Sequence, residues 1–421
     1  MTARRSLYGW LAAEAISLTG TRISMIAIPL LVLAETGSAT RTGLVAFAEA
    51  LPLVLLKVLS GPVIDRVGAR RVAIACDLGS VVAVGCLPLL YDAGLLSFPA
   101  LLALVALAGA LRGPGDAAKQ ALVPRLVSEA GVPMERATGL GSTVERSASM
   151  LGAAAAGVLV GVVGPANALL VDAVSFGLSA AVLAWAIPRT GATAQEADPQ
   201  EGSYLRRLHE GWAFLRSDRV LLGITVMVAL TNLLDAAWLT VLLPVWAVES
   251  GSGARVGLLL AVFSAAAALG AVCAATWAER LPRYHVYLVA FLIAGAPRFV
   301  VMALDARLGV ILAVGAAAGF SAGFINPVLG AVIFERIPEP LVGRVSSLGT
   351  ALCWSLIPAG GLVGGLLIGG VGLSAALLAC GAAYFLVTTL PALDPRWREL
   401  DERPAAEVEP DKPVSIEPRG S

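Results

Sequence analysis

Among the ionisable side chains that interrupt long apolar runs are Glu14, Arg22, Glu49, Arg112, Asp116 and Asp235. A charge at that depth is costly, so each marks a functional candidate with a partner to be found. A carboxylate there can take up and release a proton, and an arginine beside it can hold the charged form or lock two helices together. Arg22 and Asp235 fall near the middle of runs that an internal repeat relates, so they are expected to face each other across a cavity. Such a pair is either proton-labile or a permanent salt bridge. Glu49 stands about two turns into the second run and is either a proton carrier or a carboxylate reaching water. Arg112 and Asp116 are four residues apart and share one helix face. Glu14 is placed to line a vestibule nearer the N-terminal end. Lys57 and Arg146 are expected to reach the interface on their long stems, Asp172 to be structural, and Arg298 has no evident partner.

The elements that must hold these groups are long apolar helices. The 421-residue chain is 57% hydrophobic and 14% charged, with mean hydropathy +0.82. Runs of roughly twenty apolar residues, the length that crosses a bilayer as helix, recur along nearly all of it. They lack the alternation of barrel strands. Twelve spans are expected, near 8–34, 43–64, 72–91, 98–118, 141–163, 166–187, 219–248, 256–277, 284–304, 308–333, 345–369 and 372–391. The fold class is therefore all-α membrane protein. The first run carries Glu14 and Arg22 without a small-residue cleavage site, which reads as a retained helix.

Charge placement sets the expected orientation. With both termini in the cytoplasm, the inner loops and tails hold 22 of the 30 Lys and Arg, the outer loops hold three (Arg41, Arg255, Arg307), and five lie within spans. The positive-inside rule selects that direction. Only three of the thirty basic residues are lysine, and Ala, Gly and Val abound, as in high-GC bacteria. Five cysteines without metal-ligand spacing and two histidines (His209, His285) imply neither a disulfide framework nor a metal cluster.

Residues 35–44 read ETGSATRTGL and residues 249–258 read ESGSGARVGL, with six of ten positions identical. The same offset of 214 carries Asp65-Arg66 to Glu279-Arg280 and Pro124 to Pro338. Two parallel six-span halves follow, 1–187 and 219–393, which close a cavity only together. The linker 188–218 ends in YLRRLHEGWAFLRSD, an amphipathic pattern for the membrane face. The tail 394–421 is rich in Pro, Glu and Asp and is expected to be disordered.

Between the second and third spans the chain reads GPVIDRVGARR, residues 61–71. The pattern G-x-x-x-D-R-x-G followed by basic residues resembles the loop between helices 2 and 3 of the major facilitator superfamily. The resemblance makes Gly61, Asp65, Arg66, Gly68 and Arg70 a conformational gate, with Glu279 and Arg280 as its decayed counterpart. Asp65 is then expected to accept backbone N–H bonds at a helix N-terminus, with Arg66 and Arg70 beside it. The strings ISLTGTRISMIAIPLLVLAETGS (16–38), ALLVDAVSF (168–176), Leu208-His209-Glu210-Gly211 and GRVSSLGTAL (343–352) are similar to the twelve-span exporter branch of enterobactin exporters, macrolide efflux proteins and Tap-type multidrug pumps. The resemblance implies outward movement of amphipathic compounds driven by protons, a multi-pass monomer in the bacterial cytoplasmic membrane, and no cofactor or nucleic acid. It also attaches proton coupling to Arg112 in span 4. In this branch an acid often follows the glycine of the span-1 L-x-G pattern, whereas here Gly20 precedes Thr21 and Arg22.

Two other readings stand beside the exporter. A lipid or lysolipid carrier on the same fold would also need mixed apolar walls, and Trp238, Trp246, Phe263, Phe320 and Phe324 are candidates to line either cavity. A membrane-embedded enzyme would need a nucleophile–base set or a metal cluster, and neither pattern is found. No G-x-x-x-x-G-K-[ST] loop is present, so ATP hydrolysis by this chain is not expected.

Overall fold

The computed structural model describes residues 2–132, 134–188, 204–277, 281–338 and 341–401. All regular structure among them is helical. In hydrocarbon the backbone must satisfy its own hydrogen bonds, and a helix does so within one segment. Among the described residues, eleven helices are long and apolar enough to cross a bilayer. One of these, Thr143–Ala186, has 44 residues. At 1.5 Å per residue that is about 66 Å, twice the hydrocarbon thickness. It breaks at Gly164, whose φ of 82° and ψ of 164° are not helical, and Pro165 follows. Only glycine takes such a φ at little cost. Both arms lie along span 1: Gly141 approaches Trp10 while Gly9 meets Ala186, and Gly152 meets Arg22 while Gly20 meets Ser175. The two arms are therefore antiparallel, and the chain has twelve spans.

In chain order the spans are 1 (Thr2–Thr36), 2 (Ala39–Leu59), 3 (Ala69–Asp92), 4 (Phe98–Ala130), 5 and 6 (the two arms of Met134–Ala186), 7 (Arg219–Glu249), 8 (Ala254–Trp277), 9 (Arg283–Ala303), 10 (Leu308–Arg336), 11 (Val342–Val371, with a step at Leu356) and 12 (Leu373–Thr389). The short helix Gly61–Val67 joins spans 2 and 3, and the surface helix Tyr204–Ser217 precedes span 7. That surface helix buries Leu215 against Leu221, Ile337 and Val345. Its exposed Trp212 remains on the outside. Of the tail expected at 394–421, residues 394–401 are described and packed, and 402–421 lie outside the described residues. Pro395–Asp401 forms a 3-10 turn that buries Trp397 and Leu400, and Trp397 lies 5.1 Å from the Tyr287 ring.

The side bearing the loops between spans 2–3, 4–5, 8–9 and 10–11 is called here the basic side. On the opposite side the two halves are sealed at two related crossings. Span 2 crosses span 11 where Gly43 meets the backbone of Gly361, and Thr40 Oγ1 donates to the Gly365 carbonyl at 3.2 Å. Span 8 crosses span 5 where Gly257 meets Gly157 and Ala153. Gly43 and Gly257 occupy the same place in the repeated ten-residue string. Small residues let the backbones approach this closely. Towards the basic side span 2 loses that cover, and Leu55, Val58 and Leu59 are exposed.

Candidate functional site

A cavity of about 250 Å³ lies between the halves, lined by spans 1, 2 and 4 from one and by spans 7 and 11 from the other. Its walls are mostly apolar, including Ile28, Val45, Leu239 and Ile357. Three charged side chains line it: Arg22, Glu49 and Arg112.

Local sequence explains how two of these meet. Span 4 carries Gly109 and Gly113, which lie directly on the span 2 carbonyls of Glu49 and Leu53. That close approach delivers Arg112 to span 2, and its Nη1 donates to Glu49 Oε1 at 2.9 Å. Both side chains are largely buried, 15% and 18% exposed. Glu49 is thus not a lone acid, and Arg112 does not pair with Asp116, which shares its helix face. A carboxylate one span away outcompetes the i+4 neighbour because the glycines remove the distance between the spans.

The expected Arg22–Asp235 pair does not form. Asp235 is bonded by Arg298 Nη2 from span 9. Arg298 also lies over Trp238 at 4.8 Å, Phe299 at 5.0 Å and Tyr384 at 5.4 Å. Aromatic faces attract a guanidinium, and this cage holds Arg298 at Asp235. The residue without an evident partner is therefore the one that pairs. Past Asp235, span 7 widens into a π turn, Trp238–Leu242, with Leu243 N donating to the Trp238 carbonyl. Pro244, which lacks an N–H, follows this register change. Among the described residues, no carboxylate lies within bonding distance of Arg22. Its Nη1 reaches only the Met25 sulfur at 3.4 Å, and its Nε is buried without an acceptor.

The aromatic lining also differs from expectation. Trp238 and Trp246 are buried in the packed core. Phe320 and Phe324 pair with each other at 5.6 Å. Phe263 packs its backbone against Gly319. The aromatic side chain at the cavity is Trp354, with Lys57 Nζ 4.6 Å above its ring.

Twelve spans in two related halves around a central cavity is an arrangement shared with known proteins. The family model of the Major Facilitator Superfamily matches residues 10–251 and again 225–419. The chain belongs to the Major Facilitator Superfamily. It is a membrane transporter and not an enzyme. It is 30% identical over 408 residues to the multidrug efflux pump Tap of Mycobacterium tuberculosis, covering 96% of each chain. The Tap pump of Mycolicibacterium fortuitum is 29% identical over 387 residues, 91% of this chain and 94% of that one. Among solved structures, the nucleoside transporter NupG superposes with a TM-score of 0.74 at 11% identity, covering 96% of this chain and all of the other. A bacterial homologue of ferroportin in an inward-facing state superposes with a TM-score of 0.68 at 17% identity, covering 93% of this chain and 100% of that one.

One further charged cluster of this superfamily member escaped the sequence reading. Lys119 Nζ in span 4 lies 3.0 Å from Asp77 Oδ1 in span 3 and donates to Ser17 Oγ of span 1 at 3.1 Å. Ser179 Oγ of span 6 donates to Asp77 Oδ2 at 2.7 Å. Lys119 and Asp77 are buried. Asp77 stands within the third expected span and Lys119 just past the end of the fourth, and their spacing in the sequence does not join them. Glu14 and Asp116 lie within electrostatic reach of one another and of this cluster, and neither makes a direct bond. Asp172 is buried and bonded by the Ser24 and Ser175 hydroxyls.

At the superfamily loop, Gly68 turns the chain with a φ of 94°. Asp65 and Arg66 are exposed, and no backbone amide among the described residues bonds Asp65. Arg70 is engaged at the end of span 6. Its Nε and Nη2 donate to the Ile187 and Ala184 carbonyls, each at 2.7 Å. The last carbonyls of a helix lack intrahelical donors, and the span 6 terminus satisfies them with this arginine. Glu279 and Arg280 lie outside the described residues.

Proposed function

We propose that this chain is a proton-coupled exporter of amphipathic small molecules, working by alternating access as a monomer in a bacterial cytoplasmic membrane with its basic side in the cytoplasm. The observation that carries this reading is the Glu49–Arg112 pair inside a cavity lined by both halves. A protonated Glu49 would release Arg112, so proton entry and rearrangement at the cavity share one bond. The Tap pumps, named for multidrug efflux, support the direction and the mixed substrate class. Apolar walls with a few polar groups fit amphipaths.

The test is uptake of dyes, antibiotics and siderophores into inverted vesicles under an imposed pH gradient. Glu49→Gln, which mimics the protonated acid, is expected to abolish the response to the gradient while sparing binding of a neutral dye. Asp235→Asn is the comparison, because Arg298 lies outside the cavity lining. Gradient-driven uptake by Glu49→Gln at the parental rate would remove Glu49 as the carrier. No gradient-driven uptake of any compound by the parent would remove proton coupling.

The gate carries a separate expectation. Asp65 is exposed, so its amide partners would form in a state in which the basic side closes over it. Asp65→Ala should lower uptake several-fold at unchanged membrane abundance on immunoblots. Parental uptake would exclude that role.

A further inference from the structure

We propose that Arg22 is the recognition element for an acidic group, so that the preferred substrates of this chain are amphipaths bearing a carboxylate or another oxyanion. This rests on the transporter reading above and names the substrate class of the same cavity. Arg22, Arg112 and Glu49 are the charged residues of the lining, which therefore carries one surplus positive charge. Arg112 is occupied by Glu49 at 2.9 Å. Arg22 is not occupied. Its Nε is buried with no acceptor, and its Nη1 meets only a thioether, a weak acceptor.

The other charged groups around span 1 do not neutralise it. Glu145 and Asp116 attract it through space and Arg112 repels it, but none forms a bond with it. Glu145 is exposed and lies outside the cavity lining. Asp172 is taken up by Ser24 and Ser175, and Glu14 does not line the cavity. Arg22 is half-buried at the cavity wall with its Nε fully covered. A guanidinium without a counter-charge in such a place is costly, and arginine keeps its charge. The missing acceptor is supplied by the cargo: a planar oxyanion satisfies the fork of the guanidinium and cancels the surplus charge. The apolar walls take the remainder of the molecule. A cationic amphipath would instead meet a net positive lining.

The experiment uses three probes that share one fluorophore and differ in one end group: dansylglycine (carboxylate), dansylglycinamide (neutral) and dansylcadaverine (ammonium). Binding to the full chain in nanodiscs is measured by fluorescence. The parent is expected to bind the carboxylate about tenfold tighter than the amide, the scale of one charge-assisted hydrogen bond. Arg22→Gln should bring the carboxylate to the level of the amide and leave the amide unchanged. Arg22→Lys, which keeps the charge, should retain a carboxylate preference. Glu49→Gln should move the other way, because it frees Arg112 and adds a second unpaired cation. That variant carries the test if Arg22→Gln fails to fold. A parent without carboxylate preference, a preference untouched by Arg22→Gln, or no gain in Glu49→Gln would overturn the assignment. Intact Arg22-dependent binding with no pH-driven uptake of any probe would leave the anion site standing and remove only the exporter reading.

Discussion

Lys119→Met is expected to destabilise the protein by about 3–5 kcal/mol, the cost of leaving one member of a buried ion pair without its partner. Lys119 is 1% exposed and Asp77 3% exposed, so no water can substitute. The pair is also a junction. It draws Ser17 of span 1 and Ser179 of span 6 onto spans 3 and 4, and the Trp10 Nε1 donates to the Lys119 carbonyl at 2.9 Å. Asp77→Leu should cost a similar amount for the mirrored reason. The double variant Asp77→Leu with Lys119→Met should recover most of the loss, because no uncompensated charge stays buried and both serines can bond their own helix backbone. A double-mutant cycle on unfolding in mixed SDS micelles reads the coupling. Additive single losses would mean that the pair does not hold these four spans together.

The contrast between this cluster and the spans themselves shows what the chain displays in one dimension. Apolar runs of bilayer length are visible because lipid imposes them. The doubling is visible because ETGSATRTGL and ESGSGARVGL keep the same residues at the same offset. Partners across spans are another matter. A soluble helix shows which face is buried by alternating apolar and polar sides. A membrane helix is apolar towards both lipid and protein, so its faces are not marked. The expected Arg22–Asp235 pair rests on depth and on the repeat, and neither marks which face of a helix a side chain occupies. The repeat puts the two at equivalent heights, but Arg298 approaches Asp235 from within the same half. Glu49 and Arg112 were each singled out, yet their union depends on Gly109 and Gly113 removing the space between spans 2 and 4. Lys119 stood at the edge of its apolar run, where a basic residue reads as an interface anchor. Its burial comes from the packing of spans 1, 3 and 6 around it.

Gly257→Val is expected to cut gradient-driven transport at least about tenfold and to open the side of the molecule that is sealed here. A β-carbon at position 257 would fall 2.6 Å from the Ala153 carbonyl oxygen, and the obstacle is the span 5 backbone at Ala153 and Gly157. Neither helix can yield by turning a side chain, so spans 5 and 8 must separate. Overpacking of this kind costs about 1–3 kcal/mol. Conformations of an alternating protein differ by only a few kcal/mol, so that cost shifts their populations by about ten- to a hundredfold. The shift disfavours only the state in which the crossing is closed. The same reasoning applies to Gly43→Val at the related crossing with Gly361, and the two variants should act alike. Gly370→Val is the control, because a β-carbon there meets nothing within 4 Å. Labels at Leu95→Cys and Leu304→Cys, both exposed on the sealed side and in different halves, report the separation once the five native cysteines are replaced. The label distance should lengthen in Gly257→Val and Gly43→Val and stay unchanged in Gly370→Val. Parental distances with parental transport in the first two variants would show that the glycine crossings are not the seal, and closure on that side would have to be carried by other contacts between the halves.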